Sequence, residues 1–148
     1  MSVRTALDSN ILIYAALEPG SDKGLRAAEG IRLATDRGVI AAQALLEFVA
    51  VVRRRAPSLT AQAIAQVEAW SAVFEVAPTT NLVTAAALTI VQDHQFQVWD
   101  AVIWSAARAV GATLFISEDL KDGLVLDGMR AVNPFAMSET DFAALLAG

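Results

Sequence analysis

The stretch VWDAVIWSAARAVGATLFIS, residues 98–117, decides the fold. From about residue 99 to 110 it reads as a helix stopped by Gly111, and TLFIS, residues 113–117, reads as a β-strand. Only Gly111 and Ala112 join the two. So short a link forces the chain to reverse, and the helix therefore starts, with Asp100, at the carboxyl end of the strand that follows it.

The same alternation continues on both sides of this unit. VRTAL, residues 3–7, reads as a first strand; a helix over 22–36 is closed by Gly38; GVIAA, residues 38–42, reads as a second strand. A helix carrying Glu47 follows and ends in RRRAP, where Pro57 bars its continuation. Further helices are expected at about 60–72 and 80–93, with FEVAP, residues 74–78, as a third strand between them. In the tail SETDFAALLAG, Ser138 and Asp141 have capping-box spacing ahead of an apolar run, which predicts a short last helix. Short strands alternating with helices predict an α/β fold, a three-layer α/β/α arrangement on a central parallel sheet, with residues 1–148 as one domain.

Composition narrows the function classes. The 148 residues include no cysteine, which excludes a disulfide framework, a thiolate zinc site and a cysteine nucleophile, and fits a reducing cytoplasm. Hydrophobic residues make up 55% of the chain and the mean hydropathy is +0.48. No uninterrupted apolar run reaches the roughly 18 residues of a membrane-spanning helix, so the surplus is expected in the core and in an interface between two copies of the chain. The opening MSVRTALDSN lacks the regions of a secretory leader, and the mature chain is expected to start at or near Met1.

Four acids fall on one edge of the expected sheet. Asp8 directly follows VRTAL and Asp119 closely follows TLFIS, at the carboxyl ends of strands. Glu47 lies one turn into the helix after GVIAA, roughly 6 Å along the axis from its start. Asp100 opens the helix of the deciding stretch. Ligands of open α/β sheets bind outside this edge. Taken singly, Asp8 and Asp100 suit helix caps, and Asp119 in SEDLKDG suits a solvated loop. Glu47 is different: it stands in ALLEFVAVV, residues 44–52, and neither Gln43 nor Val51 offers it an opposite charge. Four carboxylates crowded together repel one another and persist only if a cation neutralises them. With no histidine or cysteine in the set, the oxygen ligands point to Mg²⁺ or Mn²⁺ and to a substrate that carries phosphate. Such a site suits in-line attack of water on a phosphodiester.

These motifs, in this order, resemble the PIN-domain family, the ribonuclease fold of VapC-type toxins. LDSNILIYA supplies Asp8, LLEFVAVV supplies Glu47, VWDAVIWSAA supplies Asp100 and LFISEDLKDG supplies Asp119. NPF at residues 133–135 resembles the ending of one subgroup. The resemblance spans nearly the whole chain. It implies a metal-dependent endoribonuclease whose catalytic and metal-holding residues are these four acids, with Glu118 or Asp122 as alternatives to Asp119. Ser9, Asn10 and Ser117 match positions that support the metal site in such proteins. The partners it implies are RNA, a small antitoxin protein and a second copy of the chain.

The chain is acidic, with 11 basic against 16 acidic residues and a pI of about 4.7. Setting the four proposed ligands aside leaves the two signs nearly balanced, so overall charge does not exclude RNA. Arg53, Arg54 and Arg55 could contact a phosphate backbone or simply favour the carboxyl end of their helix. His94, the single histidine, reads as a surface residue, and Trp70, Trp99 and Trp104 as core or interface residues. Two other functions fit parts of this pattern. One is a non-catalytic nucleic-acid-binding module on the same fold; the other is a phospho-accepting receiver domain, with Lys121 after the last clear strand, although Glu47 has no task there.

Overall fold

The computed structural model describes residues 3–148. Strand β1 (Thr5–Leu7) leads into helices α1 (Ser9–Leu17) and α2 (Asp22–Ala34). After β2 (Val39–Ala41) come α3 (Ala42–Arg55), one 3-10 turn (Pro57–Leu59) and α4 (Thr60–Val73). Strand β3 (Glu75–Ala77) leads into α5 (Asn81–His94) and α6 (Val98–Ala109), and β4 (Leu114–Ile116) follows. The chain closes with β5 (Val125–Leu126), β6 (Met129–Val132), a second 3-10 turn (Pro134–Ala136) and α7 (Glu139–Ala147).

The six strands form one sheet in the order β3-β2-β1-β4-β6-β5. Every pairing is parallel except that of β5 with β6. The chain steps outward from β1 to β2 to β3, then returns past β1 to β4. Right-handed crossovers in the two directions place α2 and the α5–α6 pair on opposite faces, which yields the three layers. Helix α2 packs on α1 and α7, and α5 packs on α6. The sequence of steps leaves β1 and β4 side by side with connections departing in opposite directions. A crevice opens at the carboxyl ends of two such strands.

Burial follows from this position. All residues of β1, β2 and β4 are buried, as expected of interior parallel strands covered on both faces. Helix α6 is buried continuously from Ala101 to Ala107. It has no solvated face there, which is why its sequence is nearly uncharged. Trp104 fills the space beneath it, with ring centroids 5.9 Å from Phe96 and 5.1 Å from Phe115. Trp70 packs on Phe48 at 4.9 Å, whereas Trp99 is exposed. Gly111 adopts a φ of +93° after α6, the left-handed conformation that its place between helix and strand requires.

Gly38 corrects a sequence expectation. Helix α2 ends at Ala34, four residues earlier, and Gly38 does not have a positive φ. Its lack of a side chain serves packing instead: a Cβ there would overlap the Phe74 ring and the Ala34 carbonyl. Two elements were not foreseen, helix α1 and the β5–β6 hairpin. The hairpin turns through Asp127 and Gly128, with φ of 53° and 83°, the pair of positive values that a two-residue primed turn demands. The last helix starts as predicted, with Ser138 Oγ accepting the Asp141 backbone N–H at 3.1 Å.

Candidate metal centre

The register of β1 with β4 pairs Leu7 with Ile116, so the next residue on each strand, Asp8 and Ser117, flanks the crevice. Asp8 is buried and donates its backbone N–H to the Ile116 carbonyl at 3.0 Å. Its side chain caps α1: Oδ1 accepts the Ser9 N–H at 2.7 Å. Oδ2 accepts the Ser117 hydroxyl at 2.7 Å and the Asn10 amide at 3.4 Å. Cap and crevice roles thus belong to the same carboxylate. Ser117, itself fully buried, also accepts the Asp119 N–H at 3.1 Å and the Asn10 amide at 3.2 Å.

Asp100 sits in the first turn of α6, whose N-cap is Gln97, and no side chain caps that helix. Capping therefore does not explain Asp100. One carboxylate oxygen from each of Asp8, Asp100 and Asp119 lies within 4.8 Å of the other two. Glu47 stands beside this trio, half-buried, with Oε2 accepting the Ser9 hydroxyl at 3.0 Å.

Electrostatics follow from the crowding. Burial pushes Asp8 up to about 7; the hydrogen bonds from Ser117 and Ser9 oppose this, and the charges of Asp100 and Asp119 add to it. Burial likewise raises Asp100 to about 6, with Asp119 and Glu47 adding repulsion. Glu47 is raised by burial first, against the bond from Ser9, and by the charge of Asp119. Among the described residues no cation pairs with these acids, and a divalent ion among them would offset both the cost of burial and the repulsion. The oxygen-only donor set fits such an ion.

The remaining candidates lie elsewhere. Burial raises Glu118, but bonds from Lys23 and Tyr14 outweigh it and hold the carboxyl below its ordinary value. Asp122 accepts the Asn133 backbone N–H at 2.9 Å. Neither joins the trio. Arg53, Arg54 and Arg55 are exposed in the last turn of α3, roughly 9–12 Å along the axis from Glu47 and away from the crevice end of that helix. His94 is exposed at the end of α5 and Lys121 in the loop after β4. Sequence reasoning missed Tyr14 and Lys23 beside the site. The spacing of Asn10 and Tyr14, four apart, was the available signal, since it puts both on one face of α1.

The model of the PIN-domain family matches residues 5–121. The chain belongs to the PIN-domain family. A comparison with curated proteins finds no match. Among solved structures, this PIN domain resembles a toxin–antitoxin complex from Klebsiella pneumoniae, with a TM-score of 0.67 at 17% identity over 88% of this chain and 97% of that one. It resembles VapC20 of Mycobacterium tuberculosis, a sarcin–ricin loop cleaving toxin, with a TM-score of 0.63 at 17% identity over 78% and 91% of the two chains. DNA-bound VapBC from Salmonella typhimurium gives 0.64 at 18% identity over 87% and 96%. At these identities the likeness establishes a shared fold. The receiver alternative drops out, because receiver domains order their strands 2-1-3-4-5, whereas here β1 lies between β2 and β4.

Proposed function

We propose that this PIN domain is a metal-dependent endoribonuclease, using Mg²⁺ or Mn²⁺ to hydrolyse RNA phosphodiesters, and that it is the toxin of a toxin–antitoxin pair. The convergence of Asp8, Asp100 and Asp119 at the switch point, with Glu47 beside them, carries this reading. When bound, a divalent ion supplies charge neutralisation and Lewis-acid activation of water and of the phosphoryl group. Asp8, Asp100 and Asp119 would hold it, with Glu47 completing the set at the rim. The Ser9 N–H, the Asn10 amide and the Ser117 hydroxyl all donate to the Asp8 carboxylate and would orient it as a metal ligand. Substrate phosphate would meet the ion at the mouth of the crevice, and Arg53 and Arg54 are the proposed contacts to more distant backbone phosphates.

The structural neighbours support the choice of pathway and partners. One is a toxin–antitoxin complex, another a sarcin–ricin loop cleaving toxin. An antitoxin partner and a homodimer follow as proposals, the latter also from the exposed Leu82 and Leu88 on α5. No helix among the described residues is long and apolar enough to cross a membrane. The test is hydrolysis of RNA by pure protein supplied with Mn²⁺, beside Asp8→Ala and Asp100→Ala. Cleavage that is lost in both variants is expected. Undiminished cleavage in the variants would remove the proposal, and RNA binding without metal or cleavage would favour a non-catalytic module.

A further inference from the structure

We infer that Glu118 acts as a clasp, closed by Tyr14 and Lys23, that positions Asp119 for the metal; this rests on the metal-centre reading above. Asp119 is exposed, and among the described residues its carboxylate takes no hydrogen bond. Only its backbone can set its place. Two ties hold that backbone from below: Ser117 Oγ accepts the Asp119 N–H at 3.1 Å, and Asn10 Oδ1 accepts the Glu118 N–H at 3.4 Å.

The third tie comes from the side. The Glu118 carboxylate does not join the three acids and is taken by the Tyr14 hydroxyl from α1 and the Lys23 ammonium from α2. Lys23 lies 5.1 Å from the Tyr14 ring centroid and 5.3 Å from that of Phe135, and the two rings meet edge to face at 5.3 Å. Both aromatic rings therefore brace the ammonium. Helix α1 thus grips consecutive residues of the loop with one face, through Asn10 and Tyr14. An acid beside the metal site would add repulsion there if it were unpaired; paired in this way, it converts its charge into a backbone anchor.

The sign of one effect separates this role from simple electrostatics. Removing a positive charge near an anionic site should tighten cation binding through space. Removing the clasp should weaken it, because Asp119 loses its fixed position, by about tenfold as for other groups that orient metal ligands. Mn²⁺ affinity is therefore measured by calorimetry on chelator-treated wild type, Lys23→Met, Tyr14→Phe/Lys23→Met and Lys23→Arg, with thermal midpoints recorded in chelator. Weaker binding in the methionine variants, largest in the double variant and restored in Lys23→Arg, is expected. Binding as tight as wild type or tighter in both methionine variants overturns the clasp, while an intact wild-type site that Asp8→Asn abolishes shows that the metal centre itself stands. A wild type that takes up no Mn²⁺ overturns both. If the double variant does not fold, the direction of the Lys23→Met change alone decides.

Discussion

At the scale of single residues Asp8 couples the crevice to pH and to metal. Its folded value of about 7 lies above the ordinary 3.8, so without metal the native state keeps a proton that the unfolded chain releases. The stability this group contributes is complete below about pH 4 and is lost as pH rises through about 7, a change on the order of a few kcal/mol. Metal-free Asp8→Asn should accordingly melt above wild type at pH 8 and converge with it near pH 4, which thermal denaturation across pH can read. Mn²⁺ binding must displace the same protons from Asp8 and Asp100, so affinity should rise from pH 5 to 8 with measurable proton release. Ser117→Ala removes the hydroxyl that favours the charged form of Asp8. It should push Asp8 higher still and move the pH needed for Mn²⁺ binding upward. The sequence singled out Asp8, Asp100 and Asp119 by their places at the carboxyl edge of the expected sheet, and Glu47 because a carboxylate amid apolar residues is costly and asks for a reason. It could not reveal that Ser9 holds Glu47 from 38 positions away, nor that Glu118 faces Lys23 rather than Asp119. Those contacts exist only once β1 lies between β2 and β4.

At the scale of elements, the short link after α6, read as two residues and spanning four (110–113) in the fold, was the clearest feature, because so short a connection leaves one solution. Helix α1 was hidden for the opposite reason. Its stretch ILIYAAL is apolar on every side and shows no periodicity to separate helix from strand, although Asp8 and Ser9 offered a cap ahead of it. The β5–β6 hairpin was legible in Asp127 and Gly128 but its strands are two and four residues long, too short to show alternation. Gly38 was read as a helix stop when its task is contact with Phe74. Gly38→Ala should therefore destabilise the protein by about 1–3 kcal/mol through overpacking rather than conformational strain. Chemical denaturation checks the magnitude, and a partial recovery in Gly38→Ala/Phe74→Leu would mark the ring as the obstacle.

At the scale of the whole molecule, neither the strand order nor the switch point could be read from local pattern, since both depend on which way each crossover steps. Composition anticipated something else: apolar surplus left after the core is filled. Helix α5 carries no charged residue from Asn81 to Gln92, and Leu82 and Leu88 on it are 83% and 60% exposed. A chain of net charge −5 associates with its own copy most readily through a face without charge. Light scattering should give the mass of a dimer, and Leu82→Glu/Leu88→Glu should return it to that of a monomer.

All three scales meet in the crevice between β1 and β4. The most direct measurement is calorimetric titration of Mn²⁺ into chelator-treated protein, with and without inorganic phosphate, beside Asp8→Asn and Glu47→Gln. Saturable binding by wild type, loss of it in Asp8→Asn and weakening in Glu47→Gln are expected. Folded wild-type protein that takes up no Mn²⁺ under either condition would contradict the metal-centre reading.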